Sequence, residues 1–234
     1  MTQVDQLLAC LRAYDTPTVC NAIEMAQGRR GFAGFTRRTV IWTGPTDARI
    51  VGFARTAKIA GRAPPTEDPQ TLRARRMDYF EAMVTGPRPG IAVVEDMDGD
   101  AATGAWWGEL HARIHSVVFG LEGAVTNGVV RDLGDLPGGF PILAGSVGPS
   151  HGFVHVREIG TPATIHGLTV CNGDLIHADR HGAVVVPRDV YATLQDALAR
   201  LIAAEAIVLD PLLSKPVDME AFRDLWAAFE TARV

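Results

Sequence analysis

Two short segments carry the residue types that could do chemistry. Gly108-Glu109-Leu110-His111 stands where a loop meets a predicted helix, and Arg131-Asp132 follows a predicted buried strand. The free backbone N–H groups and the dipole of a helix start attract an anion. Arg131 can hold a carboxylate through two parallel hydrogen bonds, and Asp132 can bind a hard divalent cation alongside water and substrate oxygens. By residue type alone, a surface Arg–Asp ion pair of little energetic value is the simpler interpretation.

A serine motif and three histidine pairs also invite a chemical interpretation. Gly148 to Gly152 matches G-x-S-x-G, but a nucleophile elbow needs a helix after the serine, and the residues that follow alternate like a strand, so we expect a polar turn. The pairs with H-x3-H spacing are His111/His115, His151/His155 and His177/His181. Only the first pair lies on a predicted helix, where both rings share a face; on a strand they would stand about 13 Å apart. A zinc site built on histidine is therefore not predicted.

The elements that must position these residues follow from the hydrophobic periodicity. Helices are predicted over 3–13, 71–84, 109–119, 188–206 and 218–231. A further helix is predicted to begin after an N-cap region at Asp15, with Pro17 in its first turn. Strands are predicted over 49–60, 91–95 and 123–130, with several short β segments between 140 and 187. This order indicates one α/β domain with a mainly β middle and helices at both ends.

Three finer expectations come from the same pattern. Leu110, Ile114, Val117 and Val118 recur at helical spacing and are expected to form the buried face of helix 109–119. The basic cluster Arg73, Arg75 and Arg76 is expected on a solvated helix face. Strand ends collect ligand groups in α/β folds, so we expect Asn127-Gly128 and Arg131-Asp132 near one ligand site.

Composition excludes several function classes. The chain has 234 residues, 47% of them hydrophobic and 21% charged, as in an ordinary globular domain. A net charge of −5 argues against a nucleic-acid-binding protein with a general positive field. P-loop, GxGxxG and HExxH motifs are missing from the sequence.

Compartment and membrane association can also be predicted. Three scattered cysteines, Cys10, Cys20 and Cys171, indicate a reducing compartment with thiols acting as small core residues. No signal peptide or membrane span is recognised, so we expect a soluble, cytoplasmic protein that binds neither nucleic acid nor membrane.

The motifs taken together resemble a known family. The chain resembles the regulator of ribonuclease activity A (RraA-like) family in three segments that occur in the same order. These are Trp107 to Leu110, Gly123 to Asp132, and Gly173-Asp174-Leu175 with Ala178-Asp179 and Gly182 to Pro187. That family includes class II pyruvate aldolases acting on 4-hydroxy-4-methyl-2-oxoglutarate and 4-carboxy-4-hydroxy-2-oxoadipate. The resemblance covers roughly residues 15 to 205 and is strongest over 90–190, with a C-terminal helical extension over 188–234.

The resemblance implies a role for each site residue. Backbone amides of the turn Gly108 to His111 would bind the pyruvyl carboxylate, and Arg131 would contact the substrate. Asp132 would bind Mg²⁺ or Mn²⁺, and Glu109 would order a water molecule at the metal. The implied reaction is retro-aldol cleavage or β-decarboxylation of a 2-oxo acid with release of pyruvate, including oxaloacetate decarboxylation.

Two departures from the aldolase pattern bear on the substrate. The aldolases have an Asp, twenty residues and then Arg-Asp, whereas here Glu109 precedes Arg131 by 21 intervening residues. We expect the extra residue in the helix-to-strand turn at Phe119 to Glu122. Residues 150–155, which carry His151 and His155, do not match the aldolase pattern and are expected to line the pocket differently.

The resemblance also bears on fold, assembly and alternatives. It implies a single domain over 1–234, an αββα-type sandwich like the swivelling phosphohistidine domains, in a homotrimer or a hexamer of two trimers. Glu205 of the C-terminal helical region is a candidate to reach a neighbouring subunit's site. One alternative is a non-catalytic RraA-type regulator that binds a ribonuclease; the regulator of this kind lacks the Asp after the Arg. Another alternative is a different metal-dependent enzyme on the same scaffold.

Overall fold

Most helices and strands lie where the periodicity predicts them, but the helix predicted over 188–206 runs from Leu194 to Ser214, and the strand predicted over 123–130 is two strands. The computed structural model describes residues 2–214 and 216–233. The helices are α1 (Gln3–Leu11), α2 (Thr16–Ala26), α3 (Pro69–Val84), α4 (Glu109–Arg113), α5 (Leu194–Ser214) and α6 (Met219–Ala232). Short 3₁₀ turns cover Gly99–Ala101 and Arg188–Val190, and a π-helical turn, Ile114–Val118, continues α4.

The strands are β1 (Ile41–Trp42), β2 (Ile50–Ala60), β3 (Gly90–Asp96), β4 (Ala105–Trp107), β5 (Leu121–Thr126), β6 (Val129–Val130), β7 (Ile142–Ala144), β8 (Ser146–Val147), β9 (His155–Ile159), β10 (Ala163–Ile165), β11 (Leu168–Val170), β12 (Leu175–Asp179) and β13 (Gly182–Val186). The predicted mixed α/β class, with helices at both ends of the chain, is confirmed.

The described chain forms two compact units. One combines the residues before Ala33 with those after Val186, and the other spans Ala33–Val186. In the first unit α5 packs against α1, α2 and α6. Asp15 caps α2 as predicted, because its side chain accepts a hydrogen bond from Thr18 N–H at 2.9 Å. The single domain over 1–234 stays a prediction.

The second unit is built on a curled mixed sheet. Its strand order is β1-β7-β5-β3-β2-β12-β13, and β9 pairs with the far end of β2. The pairs β2–β3, β3–β5 and β5–β7 are parallel. The other pairs of this sheet are antiparallel. β3 is buried on both faces: Ala92 and Val94 contact one core cluster, while Ile91 and Val93 contact the other. This explains its unbroken apolar sequence.

A smaller sheet carries the residues of chemical interest. Strands β4, β6 and β8 are all parallel, with Ala105 opposite Val129 and Val129 opposite Ser146. A separate hairpin of β10 and β11 covers one face of the large sheet. The G-x-S-x-G segment is a loop followed by β9, so the expectation of a turn is confirmed.

The predicted buried face of helix 109–119 is wrong for three of its four residues, and only Ile114 packs against the core. Leu110, Val117 and Val118 are 70%, 80% and 68% exposed, whereas Ala112, His115 and Phe119 are buried. The aromatic surroundings of His115 let an imidazole replace an aliphatic residue in the core, so apolar periodicity indicated the wrong face.

A π turn in the helix bears on the extra residue between Glu109 and Arg131, whose position at Phe119 to Glu122 stays a prediction. Phe119 N–H donates to Ile114 O at 3.2 Å, which is the i to i−5 bond of a π turn. A π turn contains one residue more than an α turn closed at the same point. The insertion therefore also fits inside the helix, in which case the turn at Phe119 to Glu122 need not absorb it.

Two smaller expectations also need correction. Arg75 is partly buried and its Nη1 donates to Glu67 Oε1 at 2.9 Å, so the basic cluster is not wholly a solvated face. Cys171 is exposed, whereas Cys10 and Cys20 are partly buried. Among the described residues, none of the helices combines the length and the apolar character needed to span a membrane.

Candidate functional site

The small parallel sheet brings the two chemical segments together. Gly108 follows β4 and Arg131 follows β6, and these strands are neighbours. Arg131 N–H donates to Trp107 O at 2.9 Å, which fixes the register of the two strand ends. Residues separated by more than twenty positions in the sequence therefore meet at one edge.

Gly108 lies against the side chains of Asp132 and Arg131, and a larger residue at this position would displace them. A Cβ atom at Gly108 would lie 2.5 Å from Asp132 Oδ2 and 3.1 Å from Arg131 Nε. Asp132 Oδ2 accepts a hydrogen bond from Glu109 N–H at 3.1 Å, and Arg131 Nε lies 3.6 Å from the same oxygen. Asp132 thus supplies the N-terminal cap that Gly108, with no side chain, cannot provide.

Backbone conformation at Asp132 reinforces this arrangement. Its φ of 57° lies in the left-handed region, where Asp and Asn are tolerated better than other non-glycine residues. Residues held in such conformations cluster at functional sites. The first intrahelical bond of α4 is donated by Ala112 N–H to Gly108 O at 3.0 Å, so the N–H groups of Leu110 and His111 precede it.

Glu109 has a partner on its own helix. Arg113 Nε donates to Glu109 Oε1 at 2.7 Å, and both side chains are about half exposed. Such exposed i, i+4 pairs contribute little to stability. Glu109 is therefore held loosely at the helix start, with one carboxylate oxygen engaged by Arg113.

A cavity of about 400 Å³ opens beside this junction. Four predicted site residues line it: Gly108, Leu110, His111 and Arg131. Glu109 and Asp132 are not among the lining residues, although both contact the junction. The remaining walls are Pro65, Leu72, Arg76, Ala105, Trp106, His151, Gly152, Phe153, Val154 and His155.

Sequence reasoning missed several of these walls. Arg76 belongs to the cluster that was assigned to a solvated face, and only tertiary packing of α3 brings it to the cavity. Nothing in the residue type or spacing of Trp106 indicated that it lines a cavity. The segment 151–155 lines the cavity as its departure from the aldolase pattern led us to expect.

A directed hydrogen-bond chain lies behind the cavity. His115 Nδ1 is 2.6 Å from His111 O, and because a carbonyl only accepts, Nδ1 carries the proton. His115 Nε2 therefore accepts from Tyr79 OH at 2.7 Å, and Tyr79 O accepts from Trp106 Nε1–H at 3.4 Å. Burial lowers the pKa of His115 to about 3 and raises that of Tyr79, so both stay neutral.

The residues at the junction fit a hard cation better than zinc. Within residues 2–214 and 216–233, no group of three or more His, Cys, Asp or Glu side chains could share an ion. Both ring nitrogens of His115 are engaged, which removes the His111/His115 pair as a chelate. Asp132 offers its second oxygen, Oδ1, and one carboxylate with water and substrate oxygens is a donor set that Mg²⁺ accepts.

The structure separates Asn127 from Arg131-Asp132. Asn127 Oδ1 accepts from Asp96 N–H at 2.8 Å, and its Nδ2 donates to Asp96 O at 2.9 Å. Asn127 lines two other polar cavities, both with Arg38, Asp100 and His166. The Asn127 side chain thus links the end of β5 to the end of β3, and it does not line the cavity beside Arg131.

Comparisons with known proteins agree with this fold. A model of the RraA-like family, described as Aldolase/RraA, matches residues 16–185. No curated protein matches the sequence.

Similar solved structures share the fold at low sequence identity. An uncharacterized protein from Pseudomonas syringae pv. tomato str. DC3000 has 20% identity over 98% of each chain, with a TM-score of 0.66. A protein described among novel cellulases from microbes associated with the gut ecosystem has 18% identity over 86% of each chain and a TM-score of 0.70. Streptomyces coelicolor RraAS2, described as an unusual member of the RNase ES inhibitor RraA protein family, has 23% identity over 90% of this chain and 98% of its own, with a TM-score of 0.60.

Proposed function

The chain belongs to the RraA-like family (Aldolase/RraA), and we propose that within it the protein is a divalent-metal-dependent lyase that releases pyruvate from a 2-oxo acid. Its activity would be like that of 4-hydroxy-4-methyl-2-oxoglutarate aldolase, with oxaloacetate decarboxylation as a second reaction. The family contains both aldolases and non-catalytic ribonuclease inhibitors, so the case for catalysis depends on the site itself.

One observation carries the proposal. Gly108, Arg131 and Asp132 converge at the start of α4, where Asp132 Oδ2 accepts from Glu109 N–H at 3.1 Å. In this convergence a side chain at position 108 would displace the Asp132 carboxylate, and Asp132 has a left-handed backbone. A surface ion pair needs neither feature. This geometry therefore favours a built anion and cation site over a chance pair.

Each residue has a distinct role in the proposed reaction. Arg131 and the N–H groups of Leu110 and His111 hold and orient the pyruvyl carboxylate. Asp132 would hold Mg²⁺ or Mn²⁺, which when bound supplies Lewis acidity to the 2-oxo group. Glu109 holds a water molecule that accepts the C4 hydroxyl proton and later returns a proton.

The electron balance is that of a retro-aldol cleavage. As the hydroxyl proton leaves, C4 becomes a carbonyl and the electrons of the C3–C4 bond pass to the 2-oxo group, which gives the enolate of pyruvate. Protonation at C3 then yields pyruvate. Oxaloacetate reaches the same enolate by losing carbon dioxide, so one site serves both reactions.

Assembly as a homotrimer, or as a hexamer of two trimers, is part of the proposal. Leu110, Val117 and Val118 form an exposed apolar strip beside the cavity residue His111. Apolar strips of this kind are typical of surfaces that another chain covers. Glu205, a partly buried residue of α5, remains the candidate to join a neighbouring subunit's site.

A screen of 2-oxo acids tests the proposed function. Purified protein with Mg²⁺ or Mn²⁺ should release pyruvate from oxaloacetate and from 4-hydroxy-2-oxo acids faster than a protein-free control with the same metal, and EDTA should abolish that excess. A non-catalytic regulator would show no release above the protein-free control with any substrate or metal. Release unaffected by EDTA would indicate a different chemistry on the same scaffold.

A further inference from the structure

We propose that the His111 imidazole is itself a catalytic residue, whose neutral Nε2–H donates a hydrogen bond to an anionic oxygen of the bound 2-oxo acid. The family resemblance assigns only the backbone N–H of this position. The inference rests on the proposed function, because it takes the cavity beside Arg131 as the place where the 2-oxo acid binds.

The environment of the ring leaves one nitrogen facing the cavity. His111 lines the cavity, and its ring stands edge-on to Trp106 with centroids 4.3 Å apart. Nδ1 is enclosed by protein and has no hydrogen-bond partner among the described residues. Nε2 is therefore the ring nitrogen that a bound molecule can reach.

The enclosed Nδ1 also decides the tautomer. A proton on Nδ1 would leave a buried N–H donor without an acceptor, and such orphaned donors are rarer than under-satisfied acceptors. The proton therefore lies on Nε2, which presents a donor to the cavity.

Burial and two neighbouring guanidinium groups keep the ring neutral. Burial, then the positive charge of Arg76 and then that of Arg131, lower the pKa of His111 to about 4. Among the described residues, the other titratable groups that line the cavity are His151 and His155. The carboxylates of Glu109 and Asp132 lie at the adjoining junction, outside the lining. Two guanidiniums flanking a neutral donor form a pocket for an anionic oxygen.

Neighbouring residues hold His111 in place. His115 Nδ1–H donates to the His111 carbonyl at 2.6 Å, and Tyr79 fixes His115 from behind. The π turn that begins at Ile114 directs His115 into the core, where it can make this bond. The chain thus supports its unusual cavity residue with a dedicated set of contacts, as preorganised sites require.

Nuclear magnetic resonance of the histidine side chains tests the tautomer and the contact. In protein labelled with ¹⁵N at its seven histidines, the signals lost in His111→Gln identify residue 111. We expect an Nε2–H tautomer that stays neutral from pH 8 down to pH 5. Pyruvate, added with Mg²⁺, should shift the Nε2 signal.

The outcomes separate this inference from the proposed function. An Nδ1–H tautomer, or protonation near pH 6.5, overturns the inference. If pyruvate shifts other signals and leaves those of His111 unchanged, the inference about His111 is overturned and the proposed function is not. Absence of any pyruvate binding overturns it together with the proposed function.

Three variants give an independent kinetic readout. His111→Phe keeps a ring against Trp106 but removes the donor, and should lower kcat/KM for oxaloacetate about 10- to 100-fold. His111→Gln keeps a neutral donor at similar reach and should stay within about 10-fold of the parent. His181→Phe, at the β12–β13 turn, is the matched control and should leave kcat/KM unchanged. Equal activity of the Phe and Gln variants at position 111 would contradict the inference.

Discussion

At the scale of single residues, Glu109 has two competing explanations. It stands at the proposed reaction centre, yet its Oε1 accepts from Arg113 Nε on the same exposed helix face. Glu109→Gln should lower kcat for aldol cleavage about 100-fold with little change in KM, because proton transfer is lost and carboxylate binding is kept. Oxaloacetate has no hydroxyl proton to lose, so its decarboxylation should suffer less.

Arg113→Gln is the matched control for this prediction. It breaks the same ion pair without touching the carboxylate, and should change kcat by no more than about 3-fold, since exposed i, i+4 pairs are weak. Steady-state kinetics on both substrates measures the difference. Similar losses in the two variants would show that Glu109 serves to orient the helix.

Asp96 makes a separate prediction about pH and stability. This residue is 1% exposed, its Oδ2 lacks a hydrogen-bond partner among the described residues, and burial raises its pKa to about 6. The folded state therefore holds a proton that the unfolded state releases near pH 4. Stability from this group is full below about pH 4 and is lost as the pH rises through 6.

Asp96→Asn cannot ionise and should escape that loss. Its unfolding free energy should match that of the parent at pH 4 and exceed it by about 3 kcal/mol at pH 8, because the pKa rises from 3.8 to about 6 and each pKa unit is worth about 1.36 kcal/mol. Urea titrations at both pH values measure the difference. A variant less stable than the parent at pH 8 would show that the Asp96 carboxylate is stabilised in the fold.

At the scale of elements, local patterns predicted most boundaries well. The Asp15 cap, the strand 49–60 and the helix 71–84 all carry signals within a few residues of their ends, and the structure agrees. The face of helix 109–119 could not be predicted this way. His115 is buried because Tyr79 and the His111 carbonyl satisfy both of its nitrogens, and those partners depend on tertiary packing.

The candidate site was predictable in part for the same reason. Arg131-Asp132 and the Gly108 turn were singled out by residue type and by resemblance, and the parallel pairing of β4 with β6 brings them together. Arg76 and the side chain of His111 were not, since nothing in the local sequence indicates that α3 faces the same cavity. The π turn was missed because the apolar spacing of residues 109–119 indicated a regular helix.

Tyr79→Phe tests the hydrogen-bond chain behind α4. Removing the hydroxyl leaves His115 Nε2 and Trp106 Nε1–H without this partner, and should cost about 1–3 kcal/mol of unfolding free energy. The double variant Tyr79→Phe with His115→Phe should cost less than the sum of the two single changes, because both polar partners are gone. Additive costs in urea unfolding would contradict the directed chain.

At the scale of the whole molecule, the exposed apolar strip of Leu110, Val117 and Val118 predicts an interface. Val117→Lys places a charge among these residues at a position that is 80% exposed, and should convert a trimer or hexamer into smaller species. Met77→Lys, at another exposed apolar position on α3, should leave the assembly intact. Sedimentation velocity measures both, and a parent protein that is a stable monomer would contradict the proposed assembly.

The central claim is that Asp132 makes this chain a metal-dependent lyase, and Asp132→Asn tests it most directly. Asparagine tolerates the left-handed backbone at this position and keeps an oxygen to accept from Glu109 N–H, so the fold and its melting temperature should be preserved. Pyruvate release from oxaloacetate should rise with added Mg²⁺ or Mn²⁺ in the parent protein and fall at least about 100-fold in the variant, as expected when a catalytic metal is lost. Full metal-dependent turnover by folded Asp132→Asn protein would contradict the account.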